Sequence, residues 1–238
     1  MGFHFQEGEV LLINKPLDWT SFDVVNSLRY FIRKVYNLKK IKVGHAGTLD
    51  PMASGLLIIC TGKMTKEINR FQGMDKVYAG QMYIGATTPS YDKETEPDRR
   101  FETKGLDLEK LREKSRLFLG ETDQVPPLYS AVKIKGKRAY HFAREKEKVE
   151  LKSRKVKIYK FDILQYEPPY ADFYVKCSKG TYIRSLVRDF GESLNNGAYL
   201  TALKRTQIGP YKLSNAFTLD EIKEAVLKET GYTFDGPK

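Results

Sequence analysis

"VKIYKFDILQYE" (residues 156–167) and "ADFYVKCSKG" (residues 171–180) decide the fold class. They read as two antiparallel strands joined through Pro168 and Pro169. Just after them, "TYIRSLVRDFGESL" (181–194) has helical spacing, with Ile183, Leu186, Val187 and Phe190 toward a core. Upstream, "DLEKLREKSRLFLG" (107–120) predicts an amphipathic helix with Leu108, Leu111, Leu117 and Phe118 on its apolar side and Gly120 as its stop. Residues 86–105 are polar and without periodicity, which predicts a surface loop. "KVYAGQMYIG" (76–85) and "EVLLINK" (9–15) predict strands, and Pro16 ends the second of these. "GLLIICTG" (55–62) fits either a buried strand or a short helix. A helix is expected from Thr20, with Asp23 three residues on and Phe22, Val25, Leu28, Ile32, Val35 and Leu38 at helical spacing. Another is expected at "TLDEIKEAVLKE" (218–229), opened by a Thr218–Glu221 capping box. Strands and helices mix without regular βαβ alternation. The expected class is therefore α+β, with a largely antiparallel sheet flanked by helices.

The 238 residues suit one large domain or two small ones. Hydrophobic residues make up 41% and charged residues 30%, a globular balance, and no apolar run approaches the roughly 20 residues needed to span a bilayer. The first residues lack a basic segment followed by an apolar one, so no signal peptide is expected and the chain reads as cytoplasmic. Cys60 and Cys177 belong to no C-x-x-C pair and are expected to be reduced core thiols. His4, His45 and His141 are widely spaced, so no metal site is expected.

The net charge of +11 is unevenly distributed. Residues 133–160 carry 12 Lys and Arg against three acids, Glu145, Glu147 and Glu150. Within that run, "KIKGKRAYHFAREKEK" (133–148) interleaves Tyr140, His141 and Phe142 with the bases. A solvated face would have such a charge run too. Cations that neutralise phosphates beside rings that stack on bases favour RNA as the partner.

No phosphate-binding, dinucleotide, zinc-protease or serine-hydrolase signature is present, so a cofactor-independent site of ordinary side chains is expected. Its centre is read at "GHAGTLDP" (44–51). An Asp before Pro is a common turn-former. Here, however, Gly44 and Gly47 permit a sharp bend and close approach to a ligand, and Pro51 restrains Asp50 toward extended geometry. His45 can donate to a phosphate or support the loop. An acid working in a closed pocket needs a cation nearby to stay ionised. Arg184, in the first turn of the helix after "CSKG" (177–180), supplies one, and near the positive end of a helix dipole it calls for an anionic partner. Arg188, one turn on, reads as an ordinary salt-bridge residue. Tyr78, early in its strand, could stack on a displaced base or simply face the core.

"LLINKP" (11–16), "VGHAGTLDPMASGLLIICTGKMTK" (43–66), "DKVYAG" (75–80), "PPLYSAVKIKGKRAYHFAR" (126–144), "CSKGTYIRSLVRDFG" (177–191) and "LTALKRTQIGPY" (200–211) together resemble the TruB-type tRNA pseudouridine synthases. The resemblance implies isomerisation of a T-loop uridine of tRNA, position 55, to pseudouridine without a cofactor. It implies that Asp50 is the catalytic aspartate and Arg184 its paired arginine. Tyr78 would stack on the flipped base, and His45 would enter the RNA and hold the displaced nucleotide. Tyr182 and Leu203 would line the uracil pocket, supported by Lys15 and Pro16. Attack on the sugar and removal of a sugar proton both need an ionised carboxylate beside the ribose. Residues 1–215 are expected to form the catalytic domain. Residues 216–238 are expected to be a short helix and tail in place of the RNA-binding C-terminal domain, often of the PUA type, that many relatives carry. The expected partner is the T-arm stem-loop of tRNA, with no membrane and no obligate protein partner. Two other readings are a non-catalytic RNA-binding or RNA-folding protein on the same scaffold, and hydrolysis of a nucleoside or glycoside. A buried ion pair has no use in pure binding. Glycoside hydrolysis usually wants a second carboxylate, and none is evident near Asp50 in sequence.

Overall fold

A computed structural model describes residues 2–130, 133–134, 137–138, 149 and 151–233. In chain order the elements are β1 (Val10–Lys15), α1 (Ser21–Val35), β2 (Val43–Ala46), β3 (Ala53–Thr61), α2 (Ile68–Gln72), β4 (Lys76–Ile84), β5 (Ala86–Thr87), β6 (Arg99–Arg100) and α3 (Leu108–Arg116). They continue with β7 (Gly120–Gln124), β8 (Lys133–Ile134), β9 (Lys137–Arg138), β10 (Arg154–Glu167), β11 (Tyr170–Cys177), α4 (Ile183–Ser193), β12 (Ala198–Ile208), β13 (Tyr211–Lys212) and α5 (Leu219–Thr230). Pairing is mixed and largely antiparallel, so the protein is α+β as the sequence leads one to expect. The chain forms two compact units, Met1–Lys76 with Lys204–Lys238, and Val77–Leu203.

In the first unit the strand order is β1-β3-β12, with β2 added to β3 and β13 to β12. β3 is a strand, which settles the choice left open at 55–62; it runs antiparallel to β1, with Val10 opposite Cys60 and Lys15 opposite Gly55. Helix α1 starts where Thr20 Oγ1 accepts from the Asp23 amide (3.0 Å) and the Asp23 carboxylate accepts from the Thr20 amide (2.8 Å). This reciprocal cap satisfies donors that the first turn would otherwise leave orphaned. Val24, Val25, Leu28, Phe31 and Ile32 of α1 pack with Ile13, Leu57 and Ile59. Leu219, Ile222 and Val226 of α5 complete the same cluster, and the Thr218–Glu221 capping box is formed. Phe22 does not join them. It is 60% exposed. At about 100° per residue it lies roughly 120° round the helix from the centre of the buried stripe.

In the second unit the order is β12-β4-β11-β10-β7, with the first residues of β12 beside β4. The β10–β11 hairpin is antiparallel, as expected. Val156, Ile158, Phe161, Ile163, Phe173 and Val175 are buried on its inner face. Ile183, Leu186, Val187 and Phe190 of α4 are buried too. Phe161 packs edge-on against Phe190 (5.4 Å between centroids) and Phe173 (5.9 Å), a geometry that suits aromatic quadrupoles. Cys60 and Cys177 are both buried thiols.

Two expectations are corrected here, and one strand is added to them. Helix α3 ends at Arg116, leaving Leu117 69% exposed, and Gly120 opens β7 instead of stopping the helix. Residues 86–105 are not simply a surface loop: β5 pairs with β6, and Thr88, Ser90 and Asp92 are buried. Strand β12 was not foreseen. Its Lys204 and Arg205 interrupt the apolar alternation that marks a strand.

Candidate active site

Residues 47–52 connect β2 to β3, which run antiparallel to each other. Gly47 takes φ +93, a conformation a side chain would strain, and so lets the chain leave β2 sharply. The connection is then held on both sides of Asp50. Arg205, 1% exposed, donates from Nη2 to the Gly47 carbonyl (3.0 Å) and from Nε to the Leu56 carbonyl (2.8 Å). Ser21, the first residue of α1, accepts from the Leu49 amide (2.9 Å) and donates to the Leu49 carbonyl (3.2 Å). The Pro51 carbonyl accepts from the Asp18 amide (2.9 Å) and from Lys15 Nζ (3.4 Å). The Asp50 carbonyl accepts from the Ala53 amide (3.0 Å). Leu49 is buried as an anchor, while Asp50 keeps intermediate exposure.

Lys15 is fully buried and also donates to the carbonyls of Pro16 (2.8 Å) and Trp19 (2.5 Å). The 16–19 turn is thereby folded around its ammonium group. Burial lowers the Lys15 pKa to about 8, and the Asp50 carboxylate is the strongest influence opposing that fall. The pKa of His45 is lowered by burial and by the Arg205 charge, which favours the neutral imidazole at pH 7.

In the second unit, α4 is clamped at its start. Tyr182 donates its amide to Gln124 Oε1 (2.8 Å), and Gln124 Nε2 donates to the Tyr182 carbonyl (3.1 Å). Ser185 Oγ donates to the Val125 carbonyl (2.8 Å). Arg184 is thus fixed in the first turn. Its Nη1 lies 3.2 Å from Asp92 Oδ2 and donates to the Ser90 carbonyl (3.3 Å). The Asp92 turn is tied internally: Thr88 Oγ1 donates to the Asp92 carbonyl (2.7 Å), and Asp92 Oδ1 accepts from the Glu94 amide (2.9 Å). The Arg154 guanidinium stacks 4.5 Å from the centroid of the Tyr182 ring. Tyr78 on β4 and Leu203 on β12 are both buried. Arg188 pairs with Asp189 (2.5 Å) and stacks 4.8 Å from the Tyr91 ring, so it is more enclosed than a surface salt bridge.

Of the predicted site residues, Lys15, Pro16, His45 and Asp50 belong to the first unit; Tyr78, Tyr182, Arg184 and Leu203 belong to the second. The sequence reading passed over Asp92, Arg205, Ser21, Gln124 and Arg154. A basic residue inside an otherwise apolar strand, as in "LTALKR" (200–205), was the signal available for Arg205. The basic-aromatic run at 133–148 falls almost wholly outside the described residues. No helix among the described residues is long and apolar enough to cross a membrane, and no group of three or more His, Cys, Asp or Glu among them could hold a metal ion.

The model of the TruB family pseudouridylate synthase N-terminal domain matches residues 33–183, and that of the tRNA pseudouridylate synthase B C-terminal domain matches 184–234. The chain belongs to the TruB family of pseudouridylate synthases. It is 53% identical over 223 residues to the tRNA pseudouridine synthase B of Flavobacterium johnsoniae, a match covering 93% of this chain and 97% of that one. It is 48% identical to the protein of the same name from Bacteroides thetaiotaomicron, over 93% and 94% of the two chains. Among solved structures, one from a Cbf5-Nop10-Gar1 complex superposes with a TM-score of 0.71 at 30% identity, covering 97% of this chain and 58% of that one. The corresponding chain of an H/ACA RNP bound to a substrate RNA containing 2'-deoxyuridine gives 0.67 at 28% identity, over 97% and 57%.

Proposed function

We propose that this protein isomerises a uridine of tRNA to pseudouridine, that the uridine is position 55 in the T-loop, and that Asp50 is the acting carboxylate. Membership of the TruB family supports the reaction. The observation that carries the assignment of Asp50 is the loop that presents it, fastened at Gly47, Leu49 and Pro51 by three different elements. A pure turn has no need of a buried arginine and a buried lysine to hold it, whereas a reacting acid must be positioned within fractions of an ångström.

In the reaction the target uridine leaves its stack, which costs a few kcal/mol, and Tyr78 stacks on the extruded base. The bond between C1' and N1 breaks beside the ionised Asp50 carboxylate. The base turns in place, C5 bonds to C1', the C5 proton departs and N1 takes up a proton. Atoms balance without a cofactor. Arg184 serves as the arginine partner of the acid, Tyr182 and Leu203 wall the base, His45 holds the displaced nucleotide, and Lys15 with Pro16 braces the pocket. Water must be kept from the freed base, which suits the buried Tyr78 and Leu203 side chains. We assign the catalytic role to residues 1–215, with 216–238 as a helix and tail, and place the enzyme in the cytoplasm acting without an obligate protein partner.

The test is tritium release from tRNA labelled at uridine C5. Isomerisation releases the label while the base stays attached to the chain. Free uracil would mean hydrolysis, and retained label would mean a binder; either would reject the proposal.

A further inference from the structure

Strand β10 buries Val156 and Ile158 and exposes Lys155 and Lys157. A bulge opposite β11, between Ile158 and Lys160, then breaks the alternation. Two consecutive residues, Tyr159 and Lys160, are therefore exposed together. On β11, Lys176 is exposed and Tyr174 half-buried, alternating with buried Val175 and Cys177. Lys157 Nζ lies 5.7 Å from the centroid of the Tyr159 ring, and Lys176 Nζ lies 5.6 Å from the same ring. One ring, 42% exposed, thus gathers two ammonium groups from neighbouring strands. Lys160 is different, because Asp162 lies 2.8 Å away and raises its pKa. Lys155 is 3.9 Å from Asp123, with both side chains well exposed. Among the described residues, neither Lys157 nor Lys176 has a carboxylate within 4.0 Å. Two like charges drawn to one ring repel each other, and an anion bound between them relieves that repulsion.

The same strand begins with Arg154, stacked on the Tyr182 ring at the start of α4. At about 3.3 Å per residue, Tyr159 lies about 16 Å along β10 from Arg154. Positive charge therefore runs from a proposed pocket residue outward along one strand.

We propose that this outer face of the β10–β11 hairpin, centred on Tyr159 with Lys155, Lys157 and Lys176, binds the phosphate backbone of the substrate RNA beyond the target uridine. The assignment rests on tRNA being the substrate. It adds a gripping surface distinct from the pocket, made of the last residues of the basic run at 133–160 together with Lys176 of β11.

The experiment measures Kd for an unmodified tRNA transcript between 50 and 200 mM KCl. It uses the native sequence, the triple variant Lys155→Gln/Lys157→Gln/Lys176→Gln, and a control triple at exposed lysines elsewhere, Lys104→Gln/Lys110→Gln/Lys228→Gln. Each lost phosphate contact flattens the slope of log K against log salt by about 0.7–0.9, so the hairpin variant should lose about two units of slope. Its KM should rise while the control stays near the native value. Tyr159→Phe should keep the slope, and Tyr159→Ala should reduce it. An unchanged slope in the hairpin triple, or an equal fall in the control, overturns the proposal. A surface for an acidic protein would give the unchanged slope. If the native protein released no tritium yet showed the slope difference, the functional reading would fail and the RNA surface would stand.

Discussion

The guanidinium of Arg184 is paired with the carboxylate of Asp92 at 3.2 Å, with the two side chains only 5% and 2% exposed. A charge removed from water this thoroughly is costly unless it is paired. Asp92→Asn removes the Asp92 charge from beside the guanidinium while the amide oxygen can still accept one bond. Stability should fall by about 3 kcal/mol, the low end for breaking a buried pair. Because Arg184 is proposed to serve the reaction, kcat should fall about tenfold or more, with little change in KM. Urea unfolding together with single-turnover kinetics checks both. Native stability and rate in this variant would show that the pair is idle.

Lys15 links pH to the loop that carries Asp50. Its pKa is depressed from 10.5 in the unfolded chain to about 8 in the fold. Between these values the unfolded chain holds the proton and the folded protein does not, so this group's contribution to stability rises with pH from about 8 to 10.5. Activity should move the other way. The neutral amine has fewer donors for the carbonyls of Pro16, Trp19 and Pro51 and no longer attracts Asp50. A descending limb in kcat near pH 8 is expected. Lys15→Met should be slow and flat across that range, and a limb surviving in Lys15→Met would assign it to another group.

Arg205 spans two carbonyls with one planar fork. A lysine there keeps the charge but not the paired geometry. Arg205→Lys is expected to fold and to lose at least tenfold in kcat, because the Gly47 end of the loop is released. Arg205→Ala should destabilise by about 3 kcal/mol or more, since it empties a packed site and removes the guanidinium donors from both carbonyls. Circular dichroism melts and kcat separate the two effects. A fully active Arg205→Lys variant would mean the fork does not position the loop.

Tyr78 is proposed to act through its ring. Base–aromatic stacking is worth about 1–3 kcal/mol, so Tyr78→Ala should lower kcat/KM by roughly 5- to 150-fold. Tyr78→Phe should keep most of the activity. Equal losses in both variants would point to the hydroxyl instead.

Much of this architecture is legible in local sequence, for local reasons. The Thr20–Asp23 and Thr218–Glu221 caps depend on residues three apart and form as expected. The β10–β11 hairpin alternates around a two-proline turn, so its pairing follows from its own pattern. Asp50 stands out because two glycines and a proline surround it. Asp92 does not, because nothing near it in sequence announces burial; its partner arrives 92 residues later. Arg205 hides for the same reason, since a charge inside a strand looks solvent-facing until the carbonyls of Gly47 and Leu56 are in place. Phe22 errs the other way, an apolar residue at acceptable helical spacing that the packed stripe leaves outside.

The most direct measurement is the single-turnover rate of Asp50→Asn on C5-tritiated tRNA, with Kd measured in parallel. The amide preserves shape and removes the negative charge. We expect RNA binding within a few-fold of native and no detectable tritium release. Release at the native rate would contradict the assignment of the reaction to this carboxylate.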